Sequence, residues 1–221
     1  MKTKILLLLC FITVPAYSQN RVYLSVNPGY SLDNSENIMK VIGDKKVDWF
    51  PGLSIAYERE NVLGETVHLE YNYTYRKVKD VQLFLITSEI SPDPTGGLSS
   101  DLILSLHNID IDVRIGKGEN ISYTIGPSLS WVNRSFVIDQ PLAIGTNRRF
   151  EDRLASLCIG VNGAINVTFP LADKNESLFL FTGLNMHYIH SVWFDARGRN
   201  VGNYFQSFLF SQIQVGIGSS F

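Results

Sequence analysis

The chain has only two cysteines, Cys10 and Cys158, in 221 residues, too few for a disulfide framework. The apolar run from Ile5 to Val14 is about half the roughly 20 residues that a helix needs to cross a bilayer, and nowhere else does a run reach that length. Charge is scarce and balanced: 19 Lys and Arg against 21 Asp and Glu, a formal net charge of −2, with 18% of residues charged. That balance offers no basic surface for a nucleic acid. The four histidines, His68, His107, His187 and His190, are scattered without the carboxylate spacing of a metal site. Glycines 160, 163, 183, 216 and 218 lie in strand-like segments and none opens a helix, so no phosphate loop and no cofactor is expected.

What the chain does have is apolar residues, 45% of it, arranged by alternation. Val67, Leu69, Tyr71, Tyr73 and Tyr75 interleave with Thr66, His68, Glu70, Asn72, Thr74 and Arg76, which makes one greasy face and one polar face. The greasy face is rich in tyrosine, as the aromatic girdle of a membrane barrel is. Seven further segments read the same way: 21–30, 48–58, 107–116, 121–133, 153–168, 178–192 and 204–221. Each holds the roughly 9 to 11 residues that a tilted strand needs to cross a membrane.

These readings predict an all-β fold, an eight-stranded antiparallel up-and-down transmembrane β-barrel. Connections alternate between long (31–47, 77–106, 134–152 and 193–203) and short (59–65, 117–120 and 169–177), which predicts short periplasmic turns and long extracellular loops. Lys2 and Lys4 ahead of the apolar run, with Ala16-Tyr17-Ser18 after it, predict a secretory signal peptide over 1–18 and a barrel domain over 19–221. Val215, Ile217 and Phe221 form the apolar row of a closing strand, the signal that the barrel-assembly machinery reads; Ser219 interrupts that row.

Ile121-Ser-Tyr-Thr-Ile-Gly126-Pro127-Ser-Leu-Ser-Trp131 resembles the aromatic-x-x-Gly-Pro strand of Bacteroidota outer-membrane β-barrel proteins, and Val215 to Phe221 resembles their last strand. The group is often labelled PorT-like and shares the architecture of the eight-stranded OmpA and OmpX barrels. The resemblance implies residence in the bacterial outer membrane and allows a place in a secretion apparatus.

Within such a barrel the inward row of Glu70 and Arg76 faces Asp110, Asp112 and Arg114, with Glu70 expected near Arg114 and Arg76 near Asp110. Paired across a narrow lumen these ions make a plug; loosely paired they line a small porin-like channel for ions or apolar solutes, in which Glu70→Ala raises conductance. Arg134, Arg148, Arg149, Arg153, Arg197 and Arg199 fall in the outer loops, where guanidinium groups suit the phosphates of lipopolysaccharide and other outer-membrane lipids. Val81, Leu83 and Leu85 continue the alternation into loop 77–106, which suggests a projecting hairpin with its tip at 91–97 and an edge for an envelope or secretion-system partner.

A barrel lipid hydrolase is the catalytic alternative. His190 and Ser191 are neighbours and so lie on opposite strand faces, while His187 and Ser191 share a face but lie roughly 13 Å apart. Neither pair shares a proton without a bulge. A soluble lipocalin-like binder has the same strand count but needs its apolar face inside. The expectation is a non-enzymatic barrel that presents its loops.

Overall fold

A computed structural model describes residues 20–31, 49–83, 98–116, 118, 120–141, 147–171, 178–197 and 207–221. The strands are β1 (Asn20–Val26), β2 (Gly29–Ser31), β3 (Trp49–Phe50), β4 (Gly52–Val62), β5 (Glu65–Leu83), β6 (Leu98–Ile115), β7 (Ile121–Pro141), β8 (Asn147–Pro170), β9 (Leu178–Arg197) and β10 (Ser207–Ser220). β1 with β2, and β3 with β4, are two staves, each broken by a proline, Pro28 and Pro51, which has no N–H to give to a ladder. Backbone bonds bridge the breaks: Asn27 donates to Gly52, and Ile213 to Pro28. Eight staves pair in sequence order, and β1 pairs β10 from Arg21↔Ser220 to Val26↔Val215, which closes the ring. Asn20 and Phe221 exchange two further backbone bonds.

Period-two alternation decides which face is which, and here the faces are inverted relative to a soluble protein. Ile121, Tyr123, Ile125 and Leu129 point outward and are exposed, whereas Ser122, Thr124, Ser128 and Ser130 between them are buried. The ten steps from Ile121 to Trp131 cover about 25 Å of height once strand tilt is allowed for, the thickness of a bilayer's apolar band. Val215 and Ile217 lie in this exposed belt, as does Phe221 at its edge. The lipocalin-like reading, which needs apolar residues inside and charges outside, does not describe this molecule.

The strands differ from their sequence-based bounds mainly at the loop end, opposite the termini. β5 to β9 run 18 to 24 residues, so most of the connections expected at 77–106 and 134–152 is paired strand. β5 and β6 stay paired to Leu83↔Leu98, and β7 and β8 to Pro141↔Asn147. Polar and charged residues there hide the alternation that marks a strand. The ladder also slips between Val78↔Leu102 and Val81↔Ser100, so the register read straight through from Val67 to Leu83 is broken by a bulge. The leader at 1–18 and the tip at 91–97 lie outside the described residues.

At the turn end, Val62↔Glu65 closes a two-residue turn in which Leu63 (φ 55°) and Gly64 (φ 91°) are both left-handed. That is the hairpin turn type whose first position favours Asn over a branched apolar residue. Leu63 is fully exposed and gains nothing from its bulk. Leu63→Asn is therefore expected to stabilise the barrel by about 1 kcal/mol, read as a higher midpoint of urea unfolding in lipid vesicles; a lower midpoint contradicts the turn assignment.

Candidate functional site

The lumen is built in three layers. At the turn end Arg21 and Arg114 both reach Glu58 Oε1, at 3.4 and 3.2 Å. His68 stands between two carboxylates, its Nδ1 3.8 Å from Glu58 and its Nε2 3.5 Å from Glu70. Tyr23 packs edge-on against His68, Phe179 and Phe181, with ring centroids 5.1 to 5.5 Å apart. Two glycines of β10 make room for these rings: a Cβ on Gly218 would lie 2.4 Å from Phe179, and one on Gly216 2.7 Å from Phe181. Between Arg21, Glu58, His68 and Glu70 there is room for about one water molecule.

The middle layer is a hydrogen-bonded mesh. Gln214 donates to Glu70, Asn162 to Asp112 at 3.0 Å, and Asn108 to Asp110 at 2.6 Å. Asn108 in turn accepts from Ser128 and Ser130, and Asn72 donates to Gln212 across the lumen. Gly126, directly between Asp112 and Asn162 in the ladders, lets that bond form: a Cβ there would fall 2.5 Å from Asp112 Oδ1. Such a mesh suits a narrow lumen, where a polar group without a partner costs about 1 to 3 kcal/mol.

At the loop end the interior turns apolar. Phe50, Leu104, Leu106, Val132, Cys158, Ile189, Phe208 and Phe210 form one buried cluster. Phe210 holds it together, with its ring 4.4 Å from His187 and nearly parallel to it, 5.1 Å from Phe208 and 6.0 Å from Phe50. Beneath, His187 Nδ1 lies 3.7 Å from Asp110.

Several of the residues expected from the sequence to form one network are here, with different partners. Glu70 stands directly opposite Asp110, and the carboxylate that Arg114 meets is that of Glu58, because the β5–β6 ladder aligns Thr66, and not Glu70, with Arg114. Arg76 lies opposite Leu104, six residues along β6 from Asp110, with its guanidinium carbon 6.0 Å from the Trp49 ring centroid. Among the rim arginines, Arg134 sits in the inward row of β7 beside buried Val132, while Arg153 is exposed. Arg153 pairs in register with Arg197, Arg148 with Gln140 and Arg149 with Asp139. Arg199 lies outside the described residues.

Glu58, His68 and Arg21 do more in the lumen than the sequence suggested. Their signal was there, since His68 shares the polar row of Glu70. The apolar cap was missed because Phe208-Leu209-Phe210 and Leu102-Ile103-Leu104 read as unbroken greasy runs, with no polar partner to reveal which face turns inward.

The hydrolase pairing does not form. Ser191 Oγ bonds Ser156, His190 points outward and bonds Ser207, and His187 meets Asp110, Asn108 and Phe210. Among the described residues no group of three or more His, Cys, Asp or Glu is placed to hold a metal ion. On the outer surface near the loop end, Trp131 stacks on Trp193 at 5.6 Å and the Tyr71 hydroxyl meets His107 at 2.9 Å. These rings form the girdle at the upper edge of the apolar belt.

No family model matches the chain, and no curated protein matches its sequence. Among solved structures it is similar to a major outer membrane protein of Thermus thermophilus, at 11% identity and a TM-score of 0.50, over 93% of this chain and 100% of that one. It is also similar to Ail, the attachment invasion locus protein of Yersinia pestis, at 11% identity and a TM-score of 0.48, over 93% and 100%. Neisserial surface protein A gives 11% and 0.42, over 92% and 97%. At such identities the likeness concerns architecture: this chain has the fold of the bacterial outer-membrane β-barrels, and its apolar exterior belongs in a bilayer.

Proposed function

We propose that this protein is a non-enzymatic outer-membrane barrel with a sealed lumen, whose work is done by the strands that rise past the membrane at the loop end. The observation that carries this reading is the length of β5 to β9, 18 to 24 residues where a crossing takes about 9 to 11. Among the described residues β4 meets β5 as far as Gly52↔Thr74, and β10 meets β9 as far as Ser207↔His190. These five staves, among the described residues, form a raised wall. Among the described residues its outer strands, β5 beyond Tyr75 and β9 beyond His190, pair on one side alone.

A strand edge of that kind accepts an extended segment of a partner by backbone hydrogen bonding. The resemblance of the Gly126-Pro127 strand and the closing strand to PorT-like barrels favours an envelope or secretion-system protein as that partner. The test is excision of 79–101, joining Val78 to Leu102 through Asn-Gly. The barrel is expected to keep its heat-dependent gel shift and to lose cross-links, formed in cells, to one envelope protein; cross-links that persist would sink the reading.

The channel alternative is separated by conductance. With the apolar cap above the charged layers, Glu70→Ala is expected to leave single-channel current at the lipid baseline. Resolved openings in that variant would favour the channel.

A further inference from the structure

On the outer surface of β6 and β7 the lipid-facing row stops being apolar while the strands are still flanked on both sides. Ile109 and Leu129, opposite each other, belong to the apolar belt. The next outward pair toward the loop end is His107↔Trp131, and the next after it Ser105↔Asn133. On β5 the same heights carry Tyr73, opposite His107, and Tyr75, opposite Ser105.

The polar side chains of this block are tied together. Trp131 Nε1 donates to Asn133 Oδ1 at 2.8 Å, and Asn133 Nδ2 donates to Ser105 Oγ at 3.3 Å. The Tyr71 hydroxyl holds His107 through Nδ1, so the second ring nitrogen is Nε2, and the Tyr73 ring lies 4.8 Å from the imidazole. Trp193, about half exposed, stacks on Trp131 across Leu157 of β8. These bonds aim each polar group without exhausting it, since an amide has two N–H donors and two lone pairs and a hydroxyl has one donor and two. An aromatic girdle needs only rings with a polar tip. An asparagine, a serine and a histidine on a lipid-facing row are costly unless something polar lies over them.

We propose that Ser105, His107, Trp131, Asn133 and Trp193 form a site for the sugar head of a glycolipid in the surrounding leaflet. The block continues the belt that faces lipid, so a lipid head covers it, with chains running down along Ile109 and Leu129. A sugar matches the block in kind: its C–H face packs on a flat indole, and its hydroxyls both give and accept hydrogen bonds, as Asn133 and Ser105 do. A phosphate head asks instead for positive charge, and no lysine or arginine stands among these five residues. His107 and Asn133 are diagonal neighbours, about 7 to 8 Å apart at Cα, so both reach one sugar ring set between them. The site lies below the raised wall and needs no protein partner.

The test uses the full-length barrel folded in a polyoxyethylene detergent, with Trp49→Phe so that Trp131 and Trp193 report. Titration with dodecyl maltoside is expected to change their emission saturably, and dodecyl phosphocholine, with the same chain, is expected not to. Affinity for the maltoside is expected to fall about tenfold in Asn133→Ala and in His107→Ala, the worth of one well-made hydrogen bond. Tyr30→Ala is the control: it removes an exposed ring from the first stave, across the ring of eight from β7, and affinity is expected to stay unchanged. Undiminished affinity in the Asn133 and His107 variants, or an equal loss in Tyr30→Ala, overturns the site. Equal binding of dodecyl phosphocholine, lost in Arg153→Gln, overturns the sugar and assigns a phosphate head. Equal affinity for free maltose overturns the lipid and assigns a soluble glycan.

Discussion

Gly216→Val is expected to abolish the folded barrel. Gly216 lies on β10 opposite Ser25, in the short ladder that closes the ring. A Cβ there would sit 2.2 Å from Leu24 O and 2.7 Å from both Ser25 Cβ and Phe181. The first of these contacts is backbone, which cannot rotate aside, so the strands must separate or the seam must open. Overpacking in a core costs about 1 to 3 kcal/mol when side chains can adjust; here they cannot, and the cost is expected to exceed that range. The readout is heat-dependent migration on a detergent gel after refolding, with loss of the compact band expected. Gly163→Val is the control, since a Cβ at that position meets only Thr124 O, at 3.7 Å, and the band is expected to persist. A compact, heat-shifted Gly216→Val protein would contradict the closure geometry.

The second large effect is expected at Phe210. It is fully buried, and its ring touches Phe50, Phe208 and His187. Truncation to alanine removes a whole ring from a packed layer and leaves a void over the His187 and Asp110 pair. Comparable truncations cost about 3 to 5 kcal/mol, and Phe210→Ala is expected in that range, read as a lower urea midpoint with an unchanged slope. Ile213, three residues on, makes the contrast: its side chain faces lipid, so Ile213→Ala exchanges protein contact for acyl chain and is expected to shift the midpoint far less. Equal shifts would mean that the cap is not packed as a core.

The architecture was legible in the sequence because lipid imposes a pattern that water does not. From Val67 to Tyr75 and from Ile121 to Trp131 the outward residues must be apolar, so period two stands out. Above the membrane that pressure ends. Lys77-Val78-Lys79-Asp80 and Asp139-Gln140-Pro141 read as loop although most of these residues are laddered. The bulge after Val78 hid for a related reason, because nothing in one strand's alternation marks an extra residue that only its partner's register reveals.

The candidate site was legible by residue type and less so by pairing. Glu70, Asp110, Asp112 and Arg114 belong to the lumen, but the β5–β6 register sets Glu70 against Asp110, and the arginines meet Glu58 of the neighbouring strand β4 instead. Arg134 looked like a rim residue since its neighbours Asn133 and Ser135 are polar. Its parity with Val132 and Ser130 was the signal that it turns inward.

The ladder between the first stave and β10 joins the two most distant parts of the chain, with Arg21 and Ser220 about 200 residues apart, through nine aligned pairs, six on β1 and three on β2. The β7–β8 ladder joins neighbours through twenty-one. Loop-closure entropy grows with the length of chain enclosed, and contacts of such sequence separation form late. The hairpins of β5 to β9 therefore assemble early, while the ring stays an open, curling sheet until its two edges, the most distant in sequence, meet.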